Sequence, residues 1–214
     1  MTSAHILYIP IIFLLGFLAG NLFNNRAATS ASSASPLSGS ILLGAFLVFA
    51  VVFIGTHFFE IPRSSKAVTV ALNRAEIFDK KPSYSSDEVY QRISTFPPSG
   101  VYLYKQFTHT IDVLFPVSLF AFLFLLSRFV IQRNRPRKAF KVLITLLPIL
   151  WFLSDMIENS VIYYLLDEFP IRHDVLAGFL GGITISKFTL LLLSILMPVS
   201  LIAFSKKVVS DTLA

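Results

Sequence analysis

The chain has 214 residues, of which 55% are hydrophobic and 14% are charged, with a net charge of +6. An ordinary soluble domain carries about 25% charged residues, whereas the mean hydropathy of this chain is +0.73. The composition excludes a soluble enzyme, a disordered tail and a nucleic-acid-binding module, and it indicates a polytopic membrane protein. There is no cysteine, so disulfides, thiolate nucleophiles and cysteine metal ligands are excluded as well.

Five apolar runs are long enough to cross a bilayer, which requires about 20 residues of helix. They cover residues 6–23, 41–59, 111–131, 142–166 and 175–204. The sequence therefore predicts an all-α, polytopic membrane helix bundle with five transmembrane helices, a four-helix core plus an N-terminal extra span. The predicted organisation is an N-terminal transmembrane helix (1–25), a Ser/Ala-rich linker (26–40) and a four-helix membrane domain (41–214) with an extracytoplasmic loop (60–110).

The charges of the short loops set the predicted orientation through the positive-inside rule. The turn between the third and fourth spans carries six basic residues and no acid: Arg128, Arg133, Arg135, Arg137, Lys138 and Lys141. The next turn is net acidic. This pattern places the N-terminus outside and the C-terminus in the cytoplasm. The small size and the lack of cysteine favour a bacterial inner (plasma) membrane.

Two short surface helices are predicted within the 60–110 loop. The first falls within residues 66–78. The second begins at Ser85, because Ser85 and Glu88 have the spacing of a capping box. The run 96–100, Phe-Pro-Pro-Ser-Gly, is predicted to end it. This loop is too small for a core of its own, so we expect it to pack on the membrane domain.

A polar cluster is predicted inside the bundle. Asp155, Glu158 and Asn159 lie on one helix face of the fourth span because of their i, i+3, i+4 spacing. By helix rise, Asp155 lies about 16 Å below Leu166, and Lys187 of the fifth span lies about 19 Å below the connecting loop. Lys187 is therefore expected at the level of the two acids. An ion pair that fixes helix packing is favoured; a proton relay or a binding site for a polar substrate is the alternative.

A second polar cluster is predicted at the outer boundary of the membrane. His57 and Glu60 end the second span, and His109 and Asp112 begin the third with the same i, i+3 spacing. These residue types can bind a ligand or a metal ion. Their order is the reverse of the Glu-x-x-His signature of di-iron bundles. Polar anchoring at the interface is therefore favoured, and neither a metal nor another cofactor is predicted.

Several of these residues belong to a recurring set of motifs: Tyr84-Ser-Ser-Asp-Glu-Val-Tyr90, Gly100-Val-Tyr102, Asp112-Val-Leu-Phe-Pro116, Asp155-Met-Ile-Glu158-Asn159 and Lys187. In this set the chain resembles a group of small, uncharacterised four-span integral membrane proteins that share the Asp-x-x-Glu-Asn motif in a transmembrane helix. The resemblance covers roughly residues 41–214. It implies four core spans and a grouping of these polar residues, and it implies no activity.

Three classes of function follow from the sequence. A structural or accessory membrane component is favoured over an enzyme, and it predicts a dry polar cluster that no pocket reaches. A small oligomeric proton-coupled transporter or channel predicts a water-lined path to the carboxylates. An intramembrane acid–base enzyme acting on a lipid predicts a lateral pocket that contains Glu158 and His57 or His109. The expected partners are the lipid bilayer and a second copy or another membrane protein; nucleic acid is not expected, since the net charge arises largely from the basic turn.

Overall fold

The computed structural model of the chain describes residues 37–83 and 85–212, and their side chains as far as residue 203. The predicted first span and most of the linker lie outside the described residues. The described part contains helices and no strand. In chain order the helices are α1 (Gly39–Phe58), α2 (Ser65–Ala71), α3 (Ser86–Ser94), α4 (Pro98–Thr108), α5 (Ile111–Asn134), α6 (Lys138–Glu168) and α7 (Asp174–Thr212).

Four of these helices are long and apolar enough to cross a membrane: α1, α5 (which follows directly on α4), α6 and α7. They coincide with the second to fifth predicted spans, so the prediction of four apolar core helices is confirmed. The N-terminal span at residues 6–23 is not among the described residues and stays a prediction. Helices α5 and α6 continue through Pro116 and Pro148.

Residues 60–110, here called the cap, hold the three shorter helices. The predicted start of the helix at Ser85 is confirmed, because the Ser85 hydroxyl caps it by accepting a hydrogen bond from the Glu88 backbone N–H at 3.2 Å. Helix α2 ends earlier than the sequence suggested, since Asn73 and Arg74 adopt left-handed backbone angles that stop a helix. Helix α4 was not predicted: the proline-rich run that ends α3 also starts α4, with Pro98 in the first turn, where its missing N–H costs nothing.

The cap packs on the C-terminal end of α6 and the N-terminal end of α7, as expected for a segment that is too small for a core of its own. One continuous apolar core contains Val89, Ile93 and Phe107 of the cap together with Ile162 of α6 and Leu180 of α7. Burial of this surface, rather than a core within the cap alone, stabilises the cap. The part of α6 that follows Asp155 is therefore largely covered by protein, whereas the matching turns of α7 keep exposed apolar side chains such as Val175 and Phe179 on their outer face.

The membrane part has a second core between α5 and α6. Phe120 and Leu123 of α5 pack there against Trp151 and Phe152 of α6, and Phe49 of α1 contacts the edge of this core. Helix α1 packs chiefly on α5, and α7 packs chiefly on α6. Helices α1 and α7 thus flank the central pair, and they form two walls of the site described next.

Candidate functional site

One buried lysine is surrounded by three carboxylates at the base of the cap. Lys187 of α7 is 5% exposed. Its Nζ lies 3.1 Å from Asp155 Oδ1 and 3.7 Å from Asp79 Oδ2, and it also contacts Glu158 Oε2. Asp155 and Glu158 are buried as well, while about a fifth of the Asp79 side chain is exposed. The lysine is held as a cation by carboxylates from two different parts of the chain.

The structure brings together three of the four residues of the predicted buried cluster. Asp155, Glu158 and Lys187 are in direct contact, as the antiparallel arrangement of α6 and α7 required. Asn159 is buried on the same helix, but its side-chain amide has no hydrogen-bond partner and makes no contact with the lysine amine. Asn159 therefore lies beside the cluster rather than within it.

Thr184 is a member of the cluster that sequence reasoning missed. Its hydroxyl donates a hydrogen bond to Glu158 Oε1, and it is fully buried. Thr184 precedes Lys187 by three residues on α7, so both side chains face α6. The Thr-x-x-Lys spacing within an apolar helix was the available signal, since Glu158 needs donors for both of its oxygens once it is buried.

Asp79 is the second missed member, and no pattern near it in the sequence marks it. It lies in the cap, on the turn between α2 and α3. Arg92 of α3 holds this turn by donating hydrogen bonds to Glu76 O at 2.7 Å, Lys81 O at 2.5 Å and Ser83 Oγ at 2.8 Å. The fold of the cap thereby fixes the Asp79 carboxylate above the lysine.

Tyr104 of α4 supports the same turn from the other side. Its hydroxyl accepts a hydrogen bond from the backbone N–H of Phe78 at 2.9 Å, in a fully buried position. The guanidinium of Arg92 also lies 4.3 Å from the centre of the Phe78 ring, a distance at which a cation is attracted to the ring face. The residue before Asp79 is thus anchored through both its backbone and its side chain.

A cavity of about 290 Å³ reaches the charged cluster. It lies between α1 and α7, with α5 and α6 behind it and the turn of Asp79 above. Its ionisable lining residues are His57, Asp79, Lys80, Asp112, Asp155 and Lys187. The remaining lining residues are Ser65 and apolar or aromatic side chains such as Phe53, Phe115, Trp151, Phe188 and Leu191. On α1, α6 and α7 the ionisable lining residue lies one helical turn nearer the cap than an apolar or aromatic one, as in the pairs His57 and Phe53, Asp155 and Trp151, and Lys187 and Leu191. The cavity therefore has a charged end near the cap and a more apolar end away from it.

The predicted outer-boundary cluster is divided by the fold. His57 and Asp112 line the cavity, whereas the ring of His109 packs on Tyr163 at 4.1 Å and both of its nitrogens lack a partner. Glu60 is exposed at the end of α1. In the part of the chain that the structure describes, no group of three or more His, Asp or Glu side chains is placed to hold a metal ion. The four residues do not form one site.

The cluster lies far from the ends of α1 and α6 that are opposite to the cap. By a helical rise of about 1.5 Å per residue, His57 lies about 27 Å from the start of α1 and Asp155 about 26 Å from the start of α6. A hydrocarbon core is about 30 Å thick. A hydrocarbon core of that thickness that begins at the first turns of α1 and α6 would end near the cluster, on the cap side.

Acidic side chains outnumber basic ones in this buried region. Asp112, Asp155 and Glu158 are buried and Asp79 is half-buried, while Lys187 is the buried base. Isolated buried charges are very unfavourable, so these acids must share protons or a cation. Two carboxylate oxygens beside the cavity, Asp79 Oδ1 and Asp155 Oδ2, have no hydrogen-bond partner. The cavity thus presents two carboxyl oxygens that have no hydrogen-bond partner within the protein.

No family model, no curated protein and no solved structure matches this chain. The function is therefore inferred from the geometry of the cavity and its cluster.

Proposed function

We propose that this multi-pass membrane protein binds a positively charged, hydrogen-bond-donating group of the ammonium type in the cavity below the cap. The observation that carries the proposal is the unpartnered Oδ2 of Asp155, whose side chain is 7% exposed and lines the cavity. An unsatisfied buried acceptor costs about 1–3 kcal/mol. A ligand with several N–H donors would satisfy this oxygen and Asp79 Oδ1 together.

The cavity supports this role over a purely structural one. A structural ion pair is expected to be dry and closed, whereas here open space reaches Asp155 and Lys187. The cavity also contains His57, one of the residues expected for an acid–base enzyme, but Glu158 is not among its lining residues. Transport, catalysis on a lipid, the cellular membrane, the orientation and any partner protein stay predictions, since no described feature tests them.

Thiol labelling tests the proposal directly, because the native chain has no cysteine. Ser65 lines the cavity and is fully buried, and Ser65→Cys is nearly isosteric. We expect 2-aminoethyl methanethiosulfonate, which is cationic, to label Ser65→Cys faster than the anionic 2-sulfonatoethyl reagent, since the three carboxylates that line the cavity outnumber its two lysines and favour the entry of a cation. Both rates are normalised to those of a free thiol.

Ser127→Cys is the matched control. Ser127 is equally buried, but it lies between α5 and α6 and donates to Leu123 O at 2.9 Å or Ile144 O at 3.1 Å, outside the cavity. If Ser65→Cys is labelled no faster than Ser127→Cys, the cavity is closed to the reagents, and this result would favour a dry ion pair with a structural role. Equal rates with the two reagents would show an accessible cavity without preference for cations, which also contradicts the proposal.

A further inference from the structure

We infer that the positively charged group bound in the cavity is the head of a lipid-like amphiphile, an amine with a hydrocarbon chain, that enters from the bilayer between α1 and α7. This inference rests on the proposed cation site and adds the class of its ligand. It depends on three features of the cavity: its depth, its division into charged and apolar parts, and the position of its openings.

The first feature is depth. The charged end lies about 26–27 Å from the starts of α1 and α6, which is close to one edge of a hydrocarbon core of about 30 Å that begins at those starts. Lipid head groups reside at this level. A lipid amine could therefore place its head beside Asp155 without leaving its normal depth in the membrane. A binding site at the centre of the bilayer would instead require the charged head group of the lipid to enter the hydrocarbon core, which is unfavourable.

The second feature is the division of the lining. His57, Asp79 and Asp155 lie on the charged side, and the cavity continues along Phe115 and Trp151. Trp151 is 1% exposed and belongs to the core between α5 and α6. A small hydrophilic cation would leave this aromatic surface uncovered. An alkyl chain would cover it, and the binding free energy would become more favourable by about 25 cal/mol for each Å² of apolar area removed from water.

The third feature is the position of the openings. Among the described residues that line the cavity, only Lys80 and Phe188 are exposed. Lys80 belongs to the cap, while Phe188 lies in the membrane-spanning part of α7 and is 49% exposed on its surface. The two exposed lining residues thus lie on different sides of the cavity, one on the cap and one on the outward surface of α7. An amphiphile fits this arrangement, with the chain passing Phe188.

Trp151 provides a built-in reporter, because it is the single tryptophan of the chain and lines the cavity. The experiment uses the full chain in phosphatidylcholine nanodiscs that contain a stearylamine with a nitroxide at carbon 5, which quenches tryptophan at short range. We expect unlabelled octadecylamine to relieve the quenching at a mole fraction about 10–100 times lower than octadecanol or octadecanoate. This 10–100-fold ratio is about the difference in affinity that one hydrogen bond with a charged group provides.

Asp79→Asn is the test variant, since Asp79 is the least buried carboxylate of the cluster and its 3.7 Å contact with Lys187 is the longest. The variant is expected to lose most of the preference for amine over alcohol. Asp167→Asn is the matched control: Asp167 pairs with Lys105 on the surface and lies outside the cavity. It should behave like the native chain.

The outcomes separate this inference from the proposed cation site. If ethylammonium competes as well as octadecylamine, the cation site stands and the amphiphile is ruled out. If octadecanol competes as well as octadecylamine, a chain binds without recognition of an amine, and both proposals fail. Retention of the full amine preference in Asp79→Asn would also overturn the inference, and so would an equal loss of it in Asp167→Asn.

Discussion

Lys187→Met is expected to be the most damaging single substitution in the polar cluster. The lysine amine contacts Asp79, Asp155 and Glu158 in a buried setting. Removing one partner of a buried ion pair costs about 3–5 kcal/mol in the free energy of unfolding, because uncompensated charge remains. Glu158→Gln removes the carboxylate that is fully buried against the amine. The double variant should therefore be more stable than the sum of the two single effects, by about 0.5–3 kcal/mol.

Equilibrium unfolding by SDS in mixed micelles would measure this double-mutant cycle. The matched control is the cycle of Lys105→Met and Asp167→Asn, whose side chains form a 2.8 Å ion pair that is 25% and 45% exposed. Solvent screens such a pair, so its coupling should stay below about 1 kcal/mol. Additivity within about 0.5 kcal/mol in the Lys187 and Glu158 cycle would refute the ion-pair reasoning.

Three further substitutions test the cap in the same titration. Gly100→Ala should lower the free energy of unfolding by about 1–3 kcal/mol, because a Cβ at this position would lie 2.5 Å from Ala71 O; an unchanged midpoint would contradict this packing. Tyr104→Phe should cost about 1–3 kcal/mol by leaving the buried N–H of Phe78 without an acceptor, and the argument fails if the variant is as stable as the native chain. Arg172→Gln should leave the unfolding midpoint unchanged, since the ion pairs of Arg172 are exposed; a clear loss would mean that the cap is attached to α7 through this residue.

The membrane helices were predictable because their cause is local. A bilayer core requires about 20 apolar residues in a row, and residues 41–59, 111–131, 142–166 and 175–204 met that requirement before any tertiary contact was considered. The start of α3 was predictable for a similar reason, since the spacing of Ser85 and Glu88 marks a helix N-terminus within one turn, and the Ser85 hydroxyl does cap the Glu88 backbone N–H. Helix α4 was not predicted, because the Pro-rich run at its start is also typical of the end of a helix.

The meeting of Asp155 and Glu158 with Lys187 was also within reach of the sequence. The spacing of the two acids places them on one face, and the short connection between α6 and α7 aligns the lysine with them. The contact of Asp79 with Lys187 could not be predicted from the sequence. It depends on how Arg92 and the rest of the cap position one turn against the membrane domain.

The sequence by itself determined that the chain is helical, that it is apolar enough for a membrane, and that charged residues are present within its longest apolar segments. Only the tertiary structure decided where those charges lie and what surrounds them. Hydropathy measures the preference of a segment to leave water, and it does not distinguish lipid from protein as the apolar neighbour. The cap covers the part of α6 that follows Asp155 and holds Asp79 against Lys187, and a cavity lies beside these charges.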